Sequence, residues 1–361
     1  LKNKVFFLLT AAFLLNAAFC YPQKNKPKNI ILLIGDGMGI TAVTSSVLYL
    51  ENSQFRRFPY TGLVVTCSAS NLITDSGAGA TSYATGNRTK NQSISVDTSG
   101  QLLQSVLDFA KGKGLATGLI ATNSITDATP AAFYAHVIKR TDQSRIAEYL
   151  IEGKVDIAIG GGRNFFLPKN LEGTRKDDKN IIDSLKARGY KTPFTFDELK
   201  RISPKEKIVS LLDKGQITKA PDRSFSLGDL AGFTLNKLSL NKKGFFVMIE
   251  GSQIDSGEHL NDFNYAFNEL KDFNTAIKTA LDFAEKDKNT LVIVIADHET
   301  GGFSISGGDF KTPVVTWTTK DHSAAMIGVF AYGPGAELFT GIIDNYQIGR
   351  KIFSLLGKKM Q

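Results

Sequence analysis

The chain has 361 residues, 42% hydrophobic and 22% charged, a usage that fits a folded domain with a large core and excludes disorder and fibrous repeats. Lysine and arginine number 43 against 35 aspartate and glutamate, a formal charge of +8. The surplus is spread thinly instead of gathered in a tract, so no nucleic-acid partner is implied.

Residues 1–20 read as an export signal: a basic start (Lys2, Lys4), an apolar run from Val5 to Leu15, then Ala17 and Ala18 before the polar segment at Pro22. That run is too short to span a bilayer comfortably, and no later stretch approaches the roughly 20 apolar residues a spanning helix needs. A periplasmic or secreted protein is expected, with lipid anchoring through Cys20 as the alternative. If Cys20 is removed, Cys67 is the remaining thiol and no intrachain disulfide forms. The apolar surroundings of Cys67 predict a buried, structural thiol.

Downstream, short apolar and β-branched runs at 30–34, 63–65, 115–120, 155–159, 245–249, 291–295 and 326–331 predict buried strands of a mostly parallel sheet. Helical spacing is clearest in Phe263, Phe267, Leu270, Phe273, Ile277, Leu281 and Ala284, with shorter examples at 101–110 and 143–150. The alternation predicts an α/β fold, a three-layer helix-sheet-helix sandwich. Residues 164–241 are less regular, with helical pieces near 181–188 and 196–202, and read as an insertion. A single domain over 21–361 is expected.

Three apolar strands end in metal-type ligands: Ile31 to Asp36, Phe246 to Asp255 (with Glu250 on the way) and Leu291 to His298. Asp321-His322 precedes a fourth strand. In open α/β sheets the functional crevice lies beyond the carboxyl ends of the strands, where the first three would converge. One such aspartate alone reads as a turn residue. The histidines change this, because of His136, His259, His298 and His322 three stand beside carboxylates. His259 follows Asp255 by four residues, on one face of a helical turn.

Ser76 lies in the small-residue run Thr74 to Thr81, where a helix should begin. A helix start offers free N–H groups and a positive dipole, which suit a nucleophile attacking phosphorus, although this segment taken alone reads more simply as an N-cap serine in a tight turn. The segment Asp127 to Ala132 places Thr129 as a hydroxyl ligand for a hard cation. Arg140 offers a guanidinium fork that matches two phosphate oxygens, or a plain surface charge beside Lys139.

Taken together these segments resemble the alkaline phosphatase family: GDGMG at 35–39, TDS at 74–76, DATPAA at 127–132, EGSQID at 250–255 followed by His259, ADHETGG at 296–302, and the late His322. The resemblance implies a phosphomonoesterase in which Ser76 is phosphorylated and Arg140 grips the phosphoryl oxygens. It implies one zinc ion on Asp255, His259 and His322, and a second on Asp36, Asp297, His298 and the Ser76 oxygen. A magnesium ion would take Asp36, Thr129 and Glu250, with Asp127 acting through water. Phosphate monoesters are then the substrates and inorganic phosphate the product. His136 is left a structural role.

Charge supports the ions independently. Asp36, Asp127, Glu250, Asp255 and Asp297 against Arg140 make a pocket that repels a phosphate dianion until cations reverse its sign. Two zinc ions would serve both ends of an in-line displacement. One departure from many relatives is Ser256, where a basic or aromatic residue is common, and weaker product binding with looser magnesium retention is expected. Trp317 reads either as part of the substrate mouth or as a loop aromatic. Family members are commonly homodimers, and no interface signature here decides between homodimer and monomer. Two alternatives remain: a phosphodiesterase or nucleotide pyrophosphatase of the same superfamily, and a non-catalytic zinc or phosphate scavenger.

Overall fold

Ten strands form one sheet in a computed structural model that describes residues 26–203 and 205–359. The expected export signal and Cys20 lie outside the described residues. In chain order the first half contains β1 (Asn29–Gly35), α1 (Ile40–Tyr49), β2 (Tyr60–Val65), α2 (Ser76–Thr85), α3 (Val106–Gly112), β3 (Ala116–Ser124), α4 (Ala128–Ala131), α5 (Gln143–Tyr149), β4 (Ile157–Gly161), α6 (Ile181–Ala187), β5 (Tyr190–Lys191), α7 (Phe196–Lys200) and β6 (Lys207–Leu211). The second half contains α8 (Leu227–Leu238), β7 (Phe245–Gly251), α9 (Gln253–His259), α10 (Phe263–Asp287), β8 (Thr290–Ile295), β9 (Glu299–Thr300), β10 (Ser304–Gly308), β11 (Pro313–Thr316), β12 (His322–Ser323), β13 (Ile327–Tyr332), β14 (Gly341–Asp344) and α11 (Asn345–Leu355).

The sheet order is β14-β2-β13-β8-β1-β7-β3-β4-β6-β5, and every pairing in it is parallel except those of β13 with β8 and β2. Strands β1, β7 and β8 are buried along their whole length, which is why they read as unbroken apolar runs without alternation. Helices α8 and α10 pack on one face, while α2, α3 and α11 pack on the other, giving the expected three layers. Truncating a side chain such as Leu33 or Ile249 in this core should cost about 2–5 kcal/mol.

Helix α10 buries Leu270, Phe273, Ile277, Leu281 and Ala284 as its spacing predicts. It also buries Glu269 and Asp272, because the side chain of Arg223, only 2% exposed, pairs with both. Elsewhere the chain departs from expectation. The helix sought at 101–110 starts only at Val106, since Ser105 and Asp108 form a capping box that fixes the entry there. Strand β2 is mostly exposed, with Val64 alone fully buried, because it lies next to the end of the sheet. Residues 164–241 hold more than helical pieces: β5 and β6 extend the central sheet. The free thiol of Cys67 is half-exposed, not buried. Among the described residues no helix is long and apolar enough to cross a membrane.

Candidate active site

Four adjacent parallel strands, β8, β1, β7 and β3, deliver the acidic residues to one end of the sheet. Asp36 follows β1, and Glu250 lies in β7 paired with Ile34 on one side and Ala121 on the other. Asp297 and His298 follow β8, while the chain leaving β3 reaches Asp127 and Thr129 at the start of α4. Asp255 and His259 share a face of α9, and the short β9-β12 pairing brings His322 opposite Thr300. The crevice beyond the carboxyl ends thus gathers every ligand-type residue expected from the sequence.

Hydrogen bonds fix the histidine tautomers. His259 Nδ1 lies 2.5 Å from the Lys320 carbonyl and His322 Nδ1 lies 2.9 Å from the Thr74 carbonyl, and a carbonyl can only accept, so both Nδ1 atoms carry the proton. Thr300 donates its hydroxyl to Asp255 Oδ1 and therefore accepts from His298 Nδ1, 3.2 Å away. All three Nε2 atoms consequently face inward. His259 Nε2 and His322 Nε2 stand 3.2 Å apart. His298 Nε2 is 3.1 Å from Ser76 Oγ, 3.4 Å from Asp36 Oδ1 and 3.3 Å from Asp297 Oδ2.

Unprotonated, these nitrogens would repel one another and the carboxylates unless a proton or a metal cation lies between them. Oxygen donors behind them tell the same story: Asp36 Oδ1, Asp297 Oδ2, Thr129 Oγ1 and both oxygens of Glu250 are buried without a hydrogen-bond partner. Burial, then the charges of Asp297, Asp255, Glu250 and Asp127, pushes the Asp36 carboxyl far up. Burial does the same to Glu250, with Asp127 adding to it. These residues fit divalent ions, hard oxygen donors for one and mixed imidazole and carboxylate donors for others. Two groups have donor atoms within 4.8 Å of one another, Asp36 with Asp297 and His298, and Asp255 with His298 and His322. His298 stands between them, its ring stacked on His322 at 3.5 Å between centroids. His259 joins the second group through Asp255 Oδ2 at 3.3 Å.

On the outer side stand Ser76 and Arg140. Ser76 is the first residue of α2, and Asp75 takes the capping role through its bond from the Ala78 N–H, so Ser76 Oγ is left free to face His298. Arg140 holds two aspartates at 3.3 Å, Asp75 through Nη1 and Asp127 through Nη2. Burial alone would lower its basicity, but Asp127, Asp75 and Asp36 raise it further. Asp127 in turn accepts from Asn123 Nδ2 and the Ala128 N–H.

Sequence reasoning missed three participants. Asp75 enters the sequence reading only as the middle residue of the TDS motif at 74–76. Thr300 lies inside the ADHETGG segment but its hydroxyl links Asp255 to His298. Glu258 is fully buried with both oxygens unpartnered, and burial followed by Asp255 and Glu299 pushes its carboxyl up. Asp255 Oδ1, Glu258 Oε2 and Thr300 Oγ1 crowd Gly37, at φ +72°, so closely that any Cβ there would meet all three under 3.0 Å. His136 bonds the Ser95 carbonyl and approaches Asp108, away from the acidic cluster. Trp317 is half-buried and packs on Phe303 and over Gly301, which accounts for it as a packing aromatic.

Comparison with known proteins agrees with this geometry. The alkaline phosphatase family model matches residues 27–314. Alkaline phosphatase 4 of Bacillus subtilis is 32% identical, covering 92% of this chain and 90% of its own length. The alkaline phosphatase of Escherichia coli is 30% identical over 93% and 87%. The solved alkaline phosphatase of the Antarctic bacterium TAB5 is 38% identical, covering 91% of this chain and 98% of its own, with a TM-score of 0.87. A variant of that enzyme, 37% identical with a TM-score of 0.86, carries Mg in a site termed M3, the match covering 94% of this chain and 100% of the variant. With a family match across most of its length, the chain belongs to the alkaline phosphatases and so to the phosphoric monoester hydrolases.

Proposed function

We propose that the chain hydrolyses phosphate monoesters in two displacements through a phosphoseryl intermediate on Ser76. The observation that carries this reading is the placement of Ser76 Oγ, free at the N-terminus of α2 and 3.1 Å from His298 Nε2, at the edge of a cluster of buried, unpartnered oxygens. Asp255, His259 and His322 would hold one zinc ion, Asp36, Asp297, His298 and the Ser76 oxygen a second, and Asp36, Thr129 and Glu250 a magnesium ion with Asp127 acting through water. When bound, these ions supply the positive charge that lowers the Ser76 pKa and stabilises the departing alkoxide.

The protein's own groups do the rest. The dipole and free N–H groups at the start of α2 favour negative charge on Ser76 Oγ. Arg140, fixed between Asp75 and Asp127, presents its fork to two phosphoryl oxygens and orients phosphorus for attack. The Oγ–P bond forms as the P–O bond to the alcohol breaks. Water then attacks the phosphoserine, the P–Oγ bond breaks, and inorganic phosphate leaves.

Acid-quenched turnover followed by peptide mapping tests this reading. A phosphoryl group on the peptide containing Ser76, absent in Ser76→Ala, is expected. Full turnover with no phosphoenzyme, or a phosphoryl group on another residue, would overturn it. Export to the periplasm or medium belongs to the same proposal, resting on the basic-apolar-small pattern of residues 1–20. Cell fractionation that finds the protein in the cytoplasm would contradict it.

A further inference from the structure

Gln92 adopts φ +74°, a left-handed conformation that costs free energy in any residue with a Cβ. It is an exposed residue in the loop that returns from the end of α2, so no core packing demands it. Its three polar groups all face the phosphate-gripping pair. The Gln92 N–H donates to Asp75 Oδ2 at 3.0 Å, and its side-chain amide donates to the same oxygen at 3.2 Å. Its carbonyl accepts the Arg140 N–H at 2.7 Å. Two further backbone bonds between Ile94 and Val137 tie this loop to the segment that carries Arg140.

Asp75 Oδ2 therefore receives three N–H donors, two from Gln92 and one from Arg140 Nη1 at 3.3 Å. A carboxylate oxygen shared in this way holds each donor less tightly than one with a single partner. The guanidinium stands 3.3 Å from each of Asp75 and Asp127, longer than a close charge-assisted bond, with hydrogen-bonding capacity left for an incoming oxyanion. Without the Gln92 amide, Arg140 would close on Asp75, and phosphate would have to compete for it.

We propose that Gln92 is a positioning residue that sets the grip of Arg140 on the phosphoryl group by occupying part of Asp75. The proposal rests on the phosphatase reading above and concerns substrate and product affinity more than the chemical step. Gln92→Gly removes the amide while relieving the left-handed strain, so the fold should be as stable or more so.

The test compares metal-loaded wild type with Gln92→Gly, measuring the Kd for inorganic phosphate by equilibrium dialysis alongside KM and kcat for an aryl phosphate. A rise of about 3- to 10-fold in Kd and KM together, with kcat not reduced, is expected, the pattern of lost uniform binding. Gln92→Glu should weaken phosphate further, because its carboxylate competes for Arg140. In an Asp75→Ala background, Gln92→Gly should add nothing. Unchanged Kd and KM in Gln92→Gly, or full additivity with Asp75→Ala, would overturn the proposal. Wild-type protein without monoester turnover would instead overturn the phosphatase reading, while the phosphate Kd would still decide the role of Gln92.

Discussion

The floor of the crevice and its rim are built on opposite terms. On the floor, Asp36, Glu250, Asp297 and Thr129 project from rigid central elements with oxygens that no protein group satisfies. On the rim, Asp75, Asp127 and Arg140 satisfy one another and are braced by Ala78, Asn123 and Gln92. A protein can leave buried carboxylates unpaired only if something else stabilises them in the working state. The difference fits a floor built to take ions and a rim that is complete as folded, so that perturbing each should fail in a different way.

The largest effect belongs to the residue at their junction. Ser76→Ala should reduce kcat for an aryl phosphate at least about 1,000-fold, with unchanged metal content by elemental analysis. On the rim, Arg140→Ala should lower kcat/KM about 10- to 100-fold by removing charge-assisted bonds to phosphate and leaving two aspartates unpaired, measured by steady-state kinetics.

The floor gives a sign reversal in stability. A buried carboxyl whose pKa is raised binds its proton more tightly in the native state than in the unfolded one. Stability of the metal-free protein therefore falls as pH rises above the ordinary carboxyl range, by up to about 1.4 kcal/mol per pH unit for each such group. Glu250→Gln should flatten that slope and stabilise the chelated protein at pH 8. It should destabilise the metal-loaded protein, where a ligand is lost. Denaturant melts of both forms across pH check this; equal changes in the two forms would place Glu250 outside the ion-binding floor.

Two smaller effects sharpen the contrast. Ser256→Lys puts a positive charge beside Asp255 and should tighten inhibition by inorganic phosphate a few-fold, read as a lower Ki. His259 is pushed up to about 9 by its hydrogen bond to Asp255, against the cost of burial. In the metal-free protein this pairing adds stability below the ordinary histidine pKa and loses it as pH rises through about 9. Zinc must displace that proton, so loading at pH 7.5 should release at least about one more proton than loading at pH 10, measured by pH-stat titration.

Much of the floor was legible because its carboxylates stand at the ends of buried strands, where an apolar run gives way near Asp36, Glu250 and Asp297. Helix α10 was legible from its repeat for the same local reason. What escaped depends on distant partners. Nothing near Asp75 announces that Arg140, 65 positions later, is its partner, nor that Gln92 shares it. The reversal of β13 and the exposure of β2 follow from position at one end of the sheet, which composition does not encode. Strand β6 offers a five-residue run that begins with a lysine and contains a serine, inside a stretch rich in charged residues, and its pairing with β4 makes it a strand.

The central claim, that cations complete the floor and Ser76 does the chemistry above it, is tested most directly by aryl phosphate turnover at alkaline pH before and after chelation, with zinc and magnesium added back. Activity lost on chelation and restored fully only when both ions return is the predicted result. Turnover that survives complete removal of metal, verified by elemental analysis, would contradict the account.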